Sequence, residues 1–113
     1  MLTPFERGLV AHLVADWLLQ NNWMALHKHS VRHPAAWVHA SIYGLCLGVA
    51  LDWQAGVVLG LLHVLIDTGI PLRWWTTHFK ESADAPEALH IAIWADQVVH
   101  IGLIAAWVAL MPG

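Results

Sequence analysis

The sequence predicts an all-α membrane protein, a bundle of four transmembrane helices formed by residues 1–113 as one domain. Three observations predict it. The chain is 58% hydrophobic and only 12% charged, with a mean hydropathy of +0.57, whereas a soluble domain this small needs many more charges to cover its surface. Apolar runs recur in four blocks, each bounded by residues that start or stop helices. The ionisable residues inside those blocks are mostly histidines and aspartates at helical spacing. A soluble four-helix bundle is the competing reading, but such runs leave too few polar positions for four solvated faces.

The first helix is expected over 4–26. Thr3-Pro4-Phe5-Glu6 reads as a capping box with proline at the first helical position. A polar, basic connection follows from His27 to His33, and Pro34 starts the second helix, expected over 34–51. Asp52 serves as turn residue and N-cap of the third, expected over 53–70 and stopped by Gly69-Ile70-Pro71. The longest connection, 72–83, carries Trp74, Trp75 and Phe79 and is placed at the membrane interface. Asp84-Ala85-Pro86-Glu87 reads as a second capping box, opening a fourth helix over 85–110. The second and third segments are short against the roughly 20 apolar residues a span needs, though about 17 suffice.

Lys28 and Arg32 lie in the first connection and Arg73 and Lys80 in the third, so four crossings put these charges on one side. The positive-inside rule then places both termini outside the cytoplasm, with Arg7 as the one contrary charge. The N-terminus does not read as a signal peptide: no basic region precedes the apolar run, and Asp16 interrupts it. A net charge of −3 and the absence of a basic patch argue against a nucleic-acid partner. The single cysteine, Cys46, has no partner in the chain and carries no information about redox compartment.

Chemistry concentrates in the apolar blocks. His12 and Asp16 are four residues apart, one helical turn on one face, and Gln20 continues that face. The spacing returns at His63 and Asp67 and, reversed, at Asp96 and His100. His-x-x-x-Asp on both the first and third helices is also a faint sign of internal repetition. At about 1.5 Å of rise per residue, Asp16, His63 and Asp96 fall at a common depth, with His12, His39, Asp67 and His100 within about one turn of it. Each mid-membrane charge costs about 2.5 to 3.5 kcal/mol. Three aspartates therefore demand compensation, which hydrogen bonds averaging about 0.6 kcal/mol in membranes supply poorly.

A divalent metal supplies it better. His12, Asp16, His39, His63, Asp67, Asp96 and His100 are the candidate ligands, and a mixed imidazole and carboxylate set suits zinc, manganese or iron. Asp16 or Asp96 is the candidate bridging ligand or general base. Gln20 and Gln97 are candidate orienting partners, and Tyr43, one turn from His39, can donate a proton or a hydrogen bond to the site but is expected mainly to pack. Lys28 can neutralise a substrate phosphate or reach to headgroups. His27, His29, His33 and His78 are expected to be solvated, and His90 interfacial. A metal-free His–Asp network that only fixes helix packing is the competing structural reading.

His12-x-x-x-Asp16-x-x-x-Gln20 with Trp23-Met24 and Lys28, then His39, His63-x-x-Ile66-Asp67 and Asp96-Gln97-x-x-His100, resemble an uncharacterised family of small bacterial and phage membrane proteins, a domain of unknown function. Its members often carry a lysine soon after the third-helix aspartate; here Arg73 comes instead, after Pro71. A looser similarity, in the use of intramembrane His and Asp, is to membrane-bound metal-dependent hydrolases. The leading expectation is a metal-dependent hydrolase of a lipid-type substrate entering from the bilayer. The alternatives are a metal-ion or proton transporter, and a non-catalytic subunit of a larger membrane complex or homo-oligomer in which histidines ligate haem or a related ring.

Overall fold

In the computed structural model, which describes residues 1–82 and 84–111, the chain forms six helices and, among those residues, no strand. Ala83, the last residue of the expected 72–83 connection, and residues 112–113 lie outside the described residues.

α1 (Pro4–Leu13) begins as expected. Glu6 N–H donates to Thr3 Oγ1 at 3.2 Å and Thr3 N–H to Glu6 Oε1 at 2.8 Å, closing the capping box. The continuous helix expected over 4–26 does not form. Val14–Leu18 is a π-helical turn in which Leu19 N–H reaches back to the Val14 carbonyl at 3.0 Å. The chain then breaks, and α2 (Asn22–His27) starts again with Asn21 as its cap, Oδ1 accepting from Met24 N–H at 3.0 Å. The cause is the Asn21-Asn22 pair, since an asparagine side chain offers the backbone an alternative partner and favours a helix start. Asp16 sits at the centre of the π turn, and such single turns are frequent at functional sites.

α3 (Pro34–Ala50) and α4 (Trp53–Asp67) form a tight hairpin. Pro34 opens α3, capped by His33 Nδ1, which accepts from Ala35 N–H at 3.0 Å; Asp52 Oδ1 caps α4 at 2.7 Å from Ala55 N. Small residues let the backbones touch: a Cβ on Gly56 would lie 2.5 Å from the Gly44 carbonyl oxygen and 3.0 Å from Gly48 Cα. This is the small-xxx-small packing by which apolar helices approach closely.

Gly69, at φ 77°, ends α4 in a left-handed conformation that only glycine adopts without strain. The chain bends by 54° into α5 (Ile70–His78), with Pro71 in its first turn. Part of the expected connection is therefore helical. α6 (Ala88–Leu110) starts three residues later than expected, and the second capping box does not form. Successive turns take its place before the helix, with Ala85 N–H donating to the Ser82 carbonyl and Ala88 N–H to the Ala85 carbonyl.

Among the described residues, α6 is the one helix long and apolar enough by itself to cross a membrane; α4 and α5 qualify only as a bent pair, and α3 is shorter. The core runs through Ala15, Tyr43, Leu47, Leu59 and Ile104, while large apolar side chains on the outer faces stay uncovered, Val49 at 89% and Trp53 at 73% exposure.

Candidate metal centre

Five ligand-type atoms from four elements meet in the interior. The π turn contributes Asp16, α3 His39, α4 His63 and Asp67, and α6 His100; all five residues are buried. His39 Nε2 lies 3.2 Å from Asp16 Oδ1 and 3.6 Å from Asp67 Oδ2. His63 Nε2 lies 2.8 Å from Asp67 Oδ2 and 3.9 Å from Asp16 Oδ1, and His100 Nε2 lies 3.9 Å from Asp67 Oδ1. Two ligand groups result, Asp16/His39/His63 and His63/Asp67/His100, each with its donor atoms within 4.8 Å of one another, and His63 belongs to both.

These contacts are close but poorly aligned for hydrogen bonding, the His39–Asp16 and His63–Asp67 pairs being the nearest to it. Asp16 Oδ1, His39 Nε2, His63 Nε2, Asp67 Oδ2 and His100 Nε2 have no hydrogen-bond partner among the described residues, although His63 and Asp67 are close enough for one. The atoms are near but not aligned. A buried polar atom left unpaired costs about 1 to 3 kcal/mol, so five are comparable with the whole stability of a small domain, about 5 to 15 kcal/mol. A cation seated in either group relieves part of that cost by accepting the lone pairs of three donors that lie within 4.8 Å of one another. Ligands bound to one tetrahedral ion at about 2.0 to 2.1 Å lie roughly 3.3 Å apart, in the middle of the separations seen here. The buried His and Asp groups are thus geometrically able to hold a metal ion.

One imidazole is oriented as a ligand should be. His100 Nδ1–H donates to the Asp96 backbone carbonyl at 2.7 Å, which leaves Nε2 as the lone-pair atom facing Asp67. His63 is held by its face, stacked on Tyr43 with ring centroids 4.0 Å apart. Tyr43 does more than the packing expected of it, because its hydroxyl also bonds His12 Nδ1 at 2.9 Å. The i, i+4 relation to His39 was the signal for this.

Two of the seven candidate ligands lie outside the two groups. His12 Nε2–H donates to Gln97 Oε1 at 2.8 Å and Nδ1 accepts from Tyr43, so both of its ring nitrogens are engaged. Asp96 is only partly buried, and the His100 nitrogen 3.6 Å from its carboxylate is already committed to its backbone carbonyl. Gln20 falls just beyond the π turn and lines the same cavity as Asp16, Asp67, Asp96 and Gln97. That cavity has a volume of about 660 Å³. His29, expected to be solvated, donates from Nδ1 to the Asp67 carbonyl at 2.7 Å and ties the first connection to the end of α4. Its sequence signal is weak: only the need of a helix C-terminus for donors.

The protein family of unknown function DUF3307 matches residues 5–112, a span that includes every residue of the cluster. The chain belongs to that family. No curated protein and no solved structure matches it. The DUF3307 assignment therefore brings no activity with it, and function has to be read from the site.

Proposed function

We propose that the chain is a multi-pass protein of the bacterial inner membrane whose buried cluster holds a divalent metal and hydrolyses a lipid-type substrate. The five unpaired ligand atoms converging from four elements carry this reading. The proposed ligands are Asp16, His39, His63, Asp67 and His100, with a mixed nitrogen and oxygen set suited to zinc, manganese or iron. A bound ion of this kind supplies Lewis acidity and an activated water. Asp96, beside the ligands in the cavity, is the proposed general base, and His12 holds Tyr43 and Gln97 in place.

The membrane reading is supported by the uncovered apolar exterior. The apolar window of α6 is only 11% buried, unlike the core helix of a soluble protein, and its 23 residues span about 34 Å against a hydrocarbon core of about 30 Å. The proposed crossings are α1 through α2 as a broken span, α3, α4 with α5, and α6, with both termini outside the cytoplasm. Trp23, Trp37 and Trp74 are exposed at the end carrying Lys28 and Arg32, and Trp53 at the other.

Access favours hydrolysis over transport. The cavity reaches the aspartates from the side of Lys28 and Arg73, while beyond His12 and Tyr43 the interior is filled by Leu47, Ile104 and their neighbours. A conduction path needs polar groups towards both faces. The test is reconstitution into vesicles containing bacterial lipids, with metal added. Hydrolysed lipid that disappears on chelation is expected, whereas metal or proton flux without lipid turnover would favour transport.

The role given to His12 has its own test. His12→Leu leaves the Tyr43 hydroxyl and Gln97 amide oxygen unpaired, so stability should fall by about 1 to 3 kcal/mol, while bound metal per chain stays at the wild-type value. Loss of the metal would make His12 a ligand. Thermal unfolding and elemental analysis of the same preparation distinguish the two.

A further inference from the structure

The cavity above the metal site has an unusual combination of walls. Three carboxylates line it, Asp16 and Asp67 buried and Asp96 partly so, together with two cations, half-buried Lys28 and exposed Arg73, and the apolar Trp17, Leu72, Leu89 and Ile93. The apolar lining continues outward, since Trp17 is 68% and Leu89 71% exposed. By itself the lining sums to one net negative charge, three carboxylates against two cations. With a divalent ion in place the sum becomes one net positive charge, in a setting of low dielectric where an unbalanced charge is costly.

We propose that the substrate of this site is a phosphate ester on a hydrocarbon tail, its phosphoryl group held between the metal site and the Lys28 and Arg73 side chains and its tail along Trp17, Leu89 and Ile93. The inference rests on the metal-hydrolase reading and adds the substrate class. An uncharged carboxylic ester leaves the surplus positive charge of the metal-loaded cavity uncompensated. A phosphate ester is both hydrolysable and anionic at the bond that breaks. Arg73 presents a fork matched to phosphate oxygens and Lys28 a point charge. Arg73 has little else to hold it: its guanidinium makes one long contact, 3.4 Å, to the Thr68 carbonyl.

The step balances with water alone. The oxygen of water bonds to phosphorus as the P–O bond to the lipid alcohol breaks. Asp96 takes a proton from the water and delivers it to the departing alkoxide, so the products are the free alcohol and phosphate.

Native mass spectrometry of the full chain released from detergent micelles tests this. The comparison is made on the Asp96→Asn background, which lacks the proposed general base and so binds phosphatidic acid without turning it over, in micelles carrying equal amounts of dioleoyl phosphatidic acid and dioleoylglycerol, two lipids that differ only in the phosphate. The metal-loaded protein is expected to retain phosphatidic acid over dioleoylglycerol by at least about tenfold, the worth of one charge-assisted hydrogen bond. Lys28→Met with Arg73→Met should abolish the preference with metal still bound, and the charge-keeping pair Lys28→Arg with Arg73→Lys should restore it. Equal retention of the two lipids by metal-loaded protein, or a preference unchanged in the Met pair, overturns the proposal. Glycerol phosphate bound as tightly as phosphatidic acid overturns the hydrocarbon half of it and assigns the site to free phosphate esters. Because the metal is counted in the same spectra, chains that keep Lys28 and Arg73 yet carry no metal mark failure of the hydrolase reading itself.

Discussion

His63→Ala is expected to empty the metal centre. His63 is the one residue common to both ligand groups, so no alternative set of three survives its loss. Structural zinc sites bind with about 10 to 16 kcal/mol over four ligands. One ligand is then worth roughly 3 kcal/mol, more than a hundredfold in affinity, which lowers bound metal to background after purification. The variant should also lose the stabilisation that metal gives the wild type, a gain that grows with free ion above the dissociation constant. The informative measurement is the melting temperature with and without chelator. Chelation should lower it for the wild type and leave His63→Ala unchanged. An equal chelator response in the two proteins would mean that the ion binds elsewhere.

The second large effect is at Gly56, two turns before His63 on α4. A Cβ there meets only backbone, the Gly44 carbonyl oxygen at 2.5 Å and Gly48 Cα at 3.0 Å, so no side chain can rotate away to make room. Gly56→Val must push α3 and α4 apart. Overpacking of this kind costs about 1 to 3 kcal/mol in ordinary cores, and unyielding backbone puts this case at or beyond the upper end. The same two helices carry His39 and Tyr43 on one side and His63 and Asp67 on the other, so metal affinity should fall together with stability. Gly102 is the control: nothing lies within 4 Å of a Cβ there. Gly102→Ala should be neutral or gain up to about 1 kcal/mol from helix propensity. Equal melting temperatures for Gly56→Val and the wild type would contradict the close approach.

Much of the site was legible because side-chain spacing on helices is rigid. His63 and Asp67 are one turn apart in the sequence and 2.8 Å apart in space, and Asp16, His39 and His100 lie beside them, although depth counting set Asp96 level with Asp16 and His63 and did not separate it from the rest. What spacing alone does not specify is which lone pairs are already used. His12 matches the pattern as well as His63 does, but Tyr43 and Gln97 occupy both its nitrogens. Helix breaks were hidden for a related reason. The apolar run through Leu18 and Leu26 carries no proline or glycine, so the π turn and the restart at Asn21 depend on local backbone competition that hydrophobic pattern does not register. Gly69 with Pro71 was legible as a stop, but the helix beyond it was not, because Arg73, Thr76 and Thr77 dilute the apolar period.

The metal content of the wild-type protein, purified in detergent without chelator and measured by inductively coupled plasma mass spectrometry, is the most direct test of the centre. A metal centre at the cluster predicts at least one tightly bound divalent ion per chain. X-ray absorption should then show nitrogen and oxygen ligands at about 2.0 to 2.2 Å and no sulfur. A correctly folded protein carrying no stoichiometric metal, and taking up none when zinc, manganese or iron is supplied, would contradict it.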